Sequence, residues 1–143
     1  MAETAPQGVR MSAAGVPGFR VRLTHGPSGT LITTEAPRDN GGTGSSFSPT
    51  DLVGAALASC ALTTMALVAS REGVAWGETS AQVEKRMGGP PRRIAELVVE
   101  LTMPRALDPS HRAHFEEVAR KCPVALSLHP EVKVPMTFRY PER

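Results

Sequence analysis

The chain has 143 residues, 16 Lys and Arg against 14 Asp and Glu for a formal net charge of +2, two Cys, and one Trp, one Tyr and four Phe. That length supports one domain able to bury roughly two thirds of the surface its unfolded chain exposes, without disulfides. Interspersed charges leave no basic face for a phosphate backbone, and so few rings leave no base-stacking platform, so nucleic acid is not an expected partner. Two cysteines are too few for a secreted disulfide framework and cannot close a tetrahedral zinc site without histidine, which points to a cytoplasmic protein.

Residues 1–15 mix Glu3, Pro6, Gln7 and Arg10 without an apolar run. They are expected to form a flexible lead-in rather than a secretory signal, with Met11 an alternative start. Residues 16–143 are expected to form a single domain. Phe19 to Leu23 and Thr30 to Thr34 predict two short strands, and Ala36 to Phe47, rich in Gly, Pro, Asp and Asn, predicts a loop. From Leu52 to Ser70 no side chain is charged. The run is nearly long enough to span a bilayer, yet its Ala, Ser and Thr content gives little transfer energy into lipid, so a buried central helix, apolar on all faces, is expected instead of a membrane partner. Ser48 as cap, Pro49 at the first position and Asp51 in the first turn mark its start, and Arg71, Glu72 and Gly73 its end.

Downstream, Ser80 to Met87 and Arg93 to Met103 predict a hairpin around Gly88-Gly89-Pro90-Pro91. Asp108-Pro109 opens a helix with Phe115, Val118, Ala119 and Cys122 on one stripe. A short helix over Val124 to Leu128 follows. In the last strand Val132, Val134, Met136, Phe138 and Tyr140 alternate with Lys133, Thr137 and Arg139, and Pro135 argues for an edge position. The fold class is α+β, antiparallel sheet packed on helices.

Chemistry is sought at the cysteines. Cys60 lies about three turns into the long helix, where a free cysteine often packs as a small hydrophobe. Cys122 sits before Pro123, where a helix N-terminus favours a thiolate and where Arg120 and Lys121 add positive potential. His111 and His114 lie three residues apart, but Arg112, Glu116 and Glu117 beside them read as a solvated face, so no metal is expected.

The segment Ser48-Pro49-Thr50-Asp51-Leu52-Val53-Gly54-Ala55-Ala56-Leu57-Ala58-Ser59-Cys60, the later Lys121-Cys122-Pro123-Val124, and Gly41-Gly42-Thr43-Gly44 upstream resemble the OsmC/Ohr family of osmotically induced and organic hydroperoxide resistance proteins. The resemblance runs from about Phe19 to Tyr140. It implies an OsmC-like fold, an intertwined homodimer with sites at the subunit interface, and a thiol peroxidase of oxidative stress defence. Cys60 would be the peroxidatic thiol and Cys122 the resolving thiol, in a sulfenic acid and disulfide cycle reset by an external thiol or dithiol reductant, with no other cofactor.

The resemblance further implies an arginine on the thiolate, oriented by a glutamate. Arg20 is preferred for the former, with Arg22 an alternative. Thr50 stands where the family has the glutamate, and a hydroxyl cannot form the same charge-assisted pair. Asp51 is one residue along, about a hundred degrees around the helix. Thr50 and Asp51 are taken as substrate-binding, and Glu35 or Asp39 as alternative orienting acids. The departure at Thr50 sustains a second reading, a non-catalytic OsmC-like dimer that binds a small hydrophobic ligand at its interface. A third is a structural dimerisation domain.

Overall fold

The computed structural model describes residues 7–143. They divide into two compact units, one ending at Pro49 and the other Thr50–Arg143, where the sequence suggests a single domain from residue 16.

In the first unit β1 (Met11–Val16), β2 (Arg20–His25) and β3 (Leu31–Glu35) form an antiparallel sheet in that order. Strand β1 corrects the expected lead-in: Met11 to Val16 pair residue by residue with His25 to Arg20. Residues 1–6 of that lead-in lie outside the described residues. No periodic burial marks β1, because five of its six side chains are exposed; backbone pairing rather than hydrophobic patterning holds it. The loop after β3 contains one turn of 3-10 helix, Arg38–Asn40. Gly42 is required there, since a Cβ at that position would stand 1.6 Å from the Ala36 carbonyl oxygen.

The second unit is built on α1 (Pro49–Glu72), which starts at its proline as the sequence suggests. By length and composition α1 could cross a bilayer, with a mean hydropathy of 2.0 over its most apolar window. Here it is a core helix, burying Gly54, Leu57, Ala61, Met65 and Ala69 at three- and four-residue spacing. Burial is one-sided in the single chain: Ala56, Ser59, Thr63, Ala66 and Leu67 are exposed, Leu67 to 48%. Gly54 lets the helix lie close to the sheet, where an added Cβ would meet Leu97 Cδ2 at 3.4 Å and Val83 Cγ2 at 3.6 Å.

That sheet comprises β4 (Ser80–Gly88), β5 (Arg93–Thr102) and β6 (Met136–Arg139). The hairpin β4–β5 is antiparallel as expected, but β6 runs parallel to β5, so the sheet is mixed. The connection from β5 to β6 carries helices, which returns the chain to the same end of the sheet. Strand β6 occupies the edge, where Pro135, just before it, needs no ladder donor. Helices α2 (Arg112–Arg120) and α3 (Pro123–Ser127) fill that connection. Asp108 starts the approach to α2 by accepting the Ser110 N–H at 2.9 Å. Leu97, Val99 and Leu101 from β5 join the α1 stripe, Phe115, Ala119 and Cys122 in one buried cluster, and Trp76 packs on Phe115 with ring centroids 4.7 Å apart.

Candidate active site

Both thiols belong to the second unit, and both are reduced. Cys60 sits midway along α1, beside the buried Ala61 and half-buried itself. Its Sγ accepts the Val124 backbone N–H at 3.5 Å and lies 3.8 Å from Thr64 Oγ1, one turn further along the helix. Val124 is the second residue of α3, so its N–H is one of those that a helix leaves without an internal partner. The start of α3 is therefore aimed at the Cys60 sulfur.

Cys122 caps the same short helix, with extended backbone (φ −63°, ψ 155°) and Pro123 at the first helical position. It is fully buried. Burial pushes its pKa above the ordinary value of 9.0, the Cys60 sulfur adds to the rise, and the Ala125 and Val124 amides oppose it. Desolvation thus outweighs the stabilisation of the thiolate that a helix terminus offers. The expected cationic help is also committed elsewhere: Lys121 Nζ pairs with Glu117 at 2.7 Å, and Arg120 with Glu116 at 3.5 Å. The arrangement is asymmetric, a half-buried sulfur facing a helix amide and a buried neutral thiol beside it.

At the start of α1, Lys85 of β4 donates to Thr50 Oγ1 at 2.7 Å and pairs with Asp51 Oδ1 at 2.8 Å. The lysine side chain is only 15% exposed. Sequence reasoning missed Lys85, although a signal was present: it falls on the inward alternation Ala81, Val83, Lys85, Met87, where a charge needs a partner. Thr50 and Asp51 are thus joined by one ammonium.

Arg20 and Glu35 belong to the first unit and face each other across β2 and β3 as register partners. Arg20 Nε donates to the Pro17 carbonyl at 3.2 Å. Arg22, the alternative, pairs in register with Thr33 instead. Glu35 is buried and accepts from the Thr43 N–H at 2.9 Å, the Thr43 hydroxyl and the Ser45 hydroxyl. Those bonds, Ser45 first, hold its pKa down at about 2, and Arg20 adds a smaller push in the same direction. Glu35 is therefore first an anchor of the glycine-rich loop. Asp39 lies exposed in the 3-10 turn of that loop.

His114 Nε2 contacts the Glu72 carboxylate at 2.9 and 3.0 Å, joining α2 to the end of α1. No group of three or more His, Cys, Asp or Glu placed to hold a metal occurs among the described residues.

A mixed α+β chain with a thiol pair built from the middle of one long helix and the cap of a short one defines a class that comparison makes specific. Residues 42–137, more than half of the chain, match the family described as OsmC-like protein, and the chain belongs to that family. Among solved structures, one from Psychrobacter arcticus, described as an osmotic stress induced and detoxification response protein, is 34% identical, with 94% of this chain and 99% of that one covered and a TM-score of 0.85. The OsmC organic hydroperoxide resistance protein of Legionella pneumophila is 18% identical over 95% and 99% of the two chains, with a TM-score of 0.77. That of Elizabethkingia anophelis, with thiocyanate bound, is 16% identical over 97% and 100%, also with a TM-score of 0.77. These last two share the fold. No curated protein matches the chain.

Proposed function

We propose that the protein is a thiol-dependent peroxidase that reduces organic hydroperoxides through Cys60 and Cys122. The observation that carries this reading is the pairing of a Cys60 sulfur held by the Val124 N–H with a protonated, buried Cys122 beside it. Cys60 attacks the outer peroxide oxygen; the O–O bond breaks, Cys60 becomes a sulfenic acid, and the alkoxide takes a proton to leave as an alcohol. Cys122 then attacks the oxidised sulfur, its proton leaving with the hydroxyl as water, and a disulfide forms. An external dithiol supplies the two electrons that return both thiols. A neutral Cys122 suits the second role, since a resolving thiol need not compete for the peroxide. Arg20 remains the residue proposed to support the Cys60 thiolate, with Glu35 its facing acid.

The same reading includes a homodimer, a cytoplasmic location, no bound cofactor, and no nucleic-acid or membrane partner. Support for the dimer comes from the exposed apolar side chains Phe19, Leu31, Ile32 and Phe47 of the first unit and Leu67 and Leu126 of the second. The second reading, a non-catalytic dimer that binds a hydrophobic ligand, draws on Thr50, whose hydroxyl is bonded to Lys85 rather than supplying a carboxylate.

Thiol counting and intact mass after one equivalent of cumene hydroperoxide separate the two readings. Two thiols are lost in wild type, a sulfenic acid is trapped in Cys122→Ser, and Cys60→Ser is inert. Unchanged thiols in all three proteins would discard the peroxidase in favour of the ligand binder.

A further inference from the structure

A cleft of about 390 Å³ lies at the start of α1, lined by Thr50, Arg93, Ile94, His129, Glu131 and Val132. That volume is in the range of small-molecule sites. Ile94 and Val132 give it apolar walls continuous with the core, since both pack against the buried cluster. The polar lining is mostly donors. Arg93, the first residue of β5, makes no side-chain hydrogen bond or ion pair with the described residues. His129 Nδ1 accepts the Glu131 backbone N–H at 3.1 Å, which leaves the proton of the neutral ring on Nε2 and makes that nitrogen a donor. Behind the Thr50 hydroxyl stands the Lys85 ammonium, 2.7 Å away and balanced by Asp51. Glu131, exposed, is the one acid on the lining.

An apolar wall edged by a guanidinium and an imidazole N–H is complementary to a ligand with a hydrocarbon body and an anionic, planar head. We propose that this cleft binds a small amphipathic carboxylate, its chain against Ile94 and Val132 and its head on Arg93 and His129. A guanidinium matches a carboxylate in bidentate geometry, which favours this head over a neutral hydroxyl of the same chain length. Neither Cys60 nor Cys122 lines the cleft, so the site stands whether or not the thiols turn over peroxide.

Titration of the full-length protein with octanoate and, separately, 1-octanol, followed by calorimetry and amide chemical shifts, tests it without any peroxide. Octanoate should bind about tenfold to a hundredfold more tightly than octanol, the range of one charge-assisted hydrogen bond, with shifts centred on Ile94 and Val132. Arg93→Gln should remove the preference, and Glu131→Gln, which lifts a like charge from the rim, should tighten octanoate about twofold to fivefold. Equal affinity for the two ligands, shifts centred elsewhere, or an Arg93→Gln protein that keeps the preference would overturn the proposal.

Discussion

Glu35 in the first unit and Cys122 in the second are both buried acids, yet they are pushed in opposite directions. Glu35 sits under a loop whose Thr43 and Ser45 supply two hydroxyls and an N–H, and these favour the anion more than burial opposes it. Cys122 sits in an apolar cluster with Leu57, Phe115 and Ala119, where two helix amides cannot offset desolvation. Burial alone does not set the sign; the number and charge affinity of the donors within reach do. A helix terminus, often invoked as sufficient to activate a thiol, loses here to the apolar surroundings of the atom that it points at.

The comparison is broken most strongly by opening the apolar side of it. Phe115→Ala removes the largest fully buried side chain, which packs on Trp76 and His114. It should cost about 3–5 kcal/mol, read from urea unfolding by Trp76 fluorescence, and should raise the rate at which a thiol reagent reaches Cys122. An unchanged midpoint would mean that the cluster does not set the environment of Cys122. A smaller, local effect is expected at the polar end. Glu35→Gln replaces an acceptor-only carboxylate by an amide with one acceptor oxygen, so amide hydrogen exchange at Thr43 and its neighbours should accelerate, with no comparable change in α1. The pH dependence has a definite sign. A carboxyl held near 2 in the folded state contributes stability that is present above its ordinary value of 4.5 and lost as pH falls toward 2, and Glu35→Gln should abolish that acid-side loosening of the loop.

The two regions also differ in how far the sequence announces them. Cys60, Cys122 and Pro49 were legible because each depends on neighbours a few residues away: helix position, a following proline, an uncharged run. The stripe on α2 through Phe115 and Ala119 was legible by its period. Lys85 was not, because its partners Thr50 and Asp51 are 35 and 34 positions distant, and only the register of β4 brings them together. Strand β1 escaped for a different reason: its side chains are exposed and carry no alternation, so only its hydrogen-bonded partner reveals it. The parallel pairing of β6 was hidden too, since alternation is the same for either direction of pairing. For Cys122 the sequence supplied the helix terminus and the nearby cations but not the depth of burial, and depth decides the outcome.

That outcome yields the smallest and most specific expected effect. A thiol whose pKa is raised in the folded state binds its proton more tightly there than in the unfolded chain. Between the ordinary value of 9.0 and the raised one, the native state therefore holds more protons, and stability must fall as pH rises through that window. Tyr140, also raised, by burial and by its bond to Glu116, adds an alkaline slope of its own at higher pH. The difference between wild type and Cys122→Ala isolates the cysteine, because Tyr140 is common to both. Urea midpoints measured from pH 8 upward should decline more steeply in wild type than in Cys122→Ala once pH passes 9. Parallel curves would show that the helix amides do offset burial at Cys122 after all, leaving its thiol with the proton affinity of an ordinary cysteine rather than one raised by its apolar surroundings.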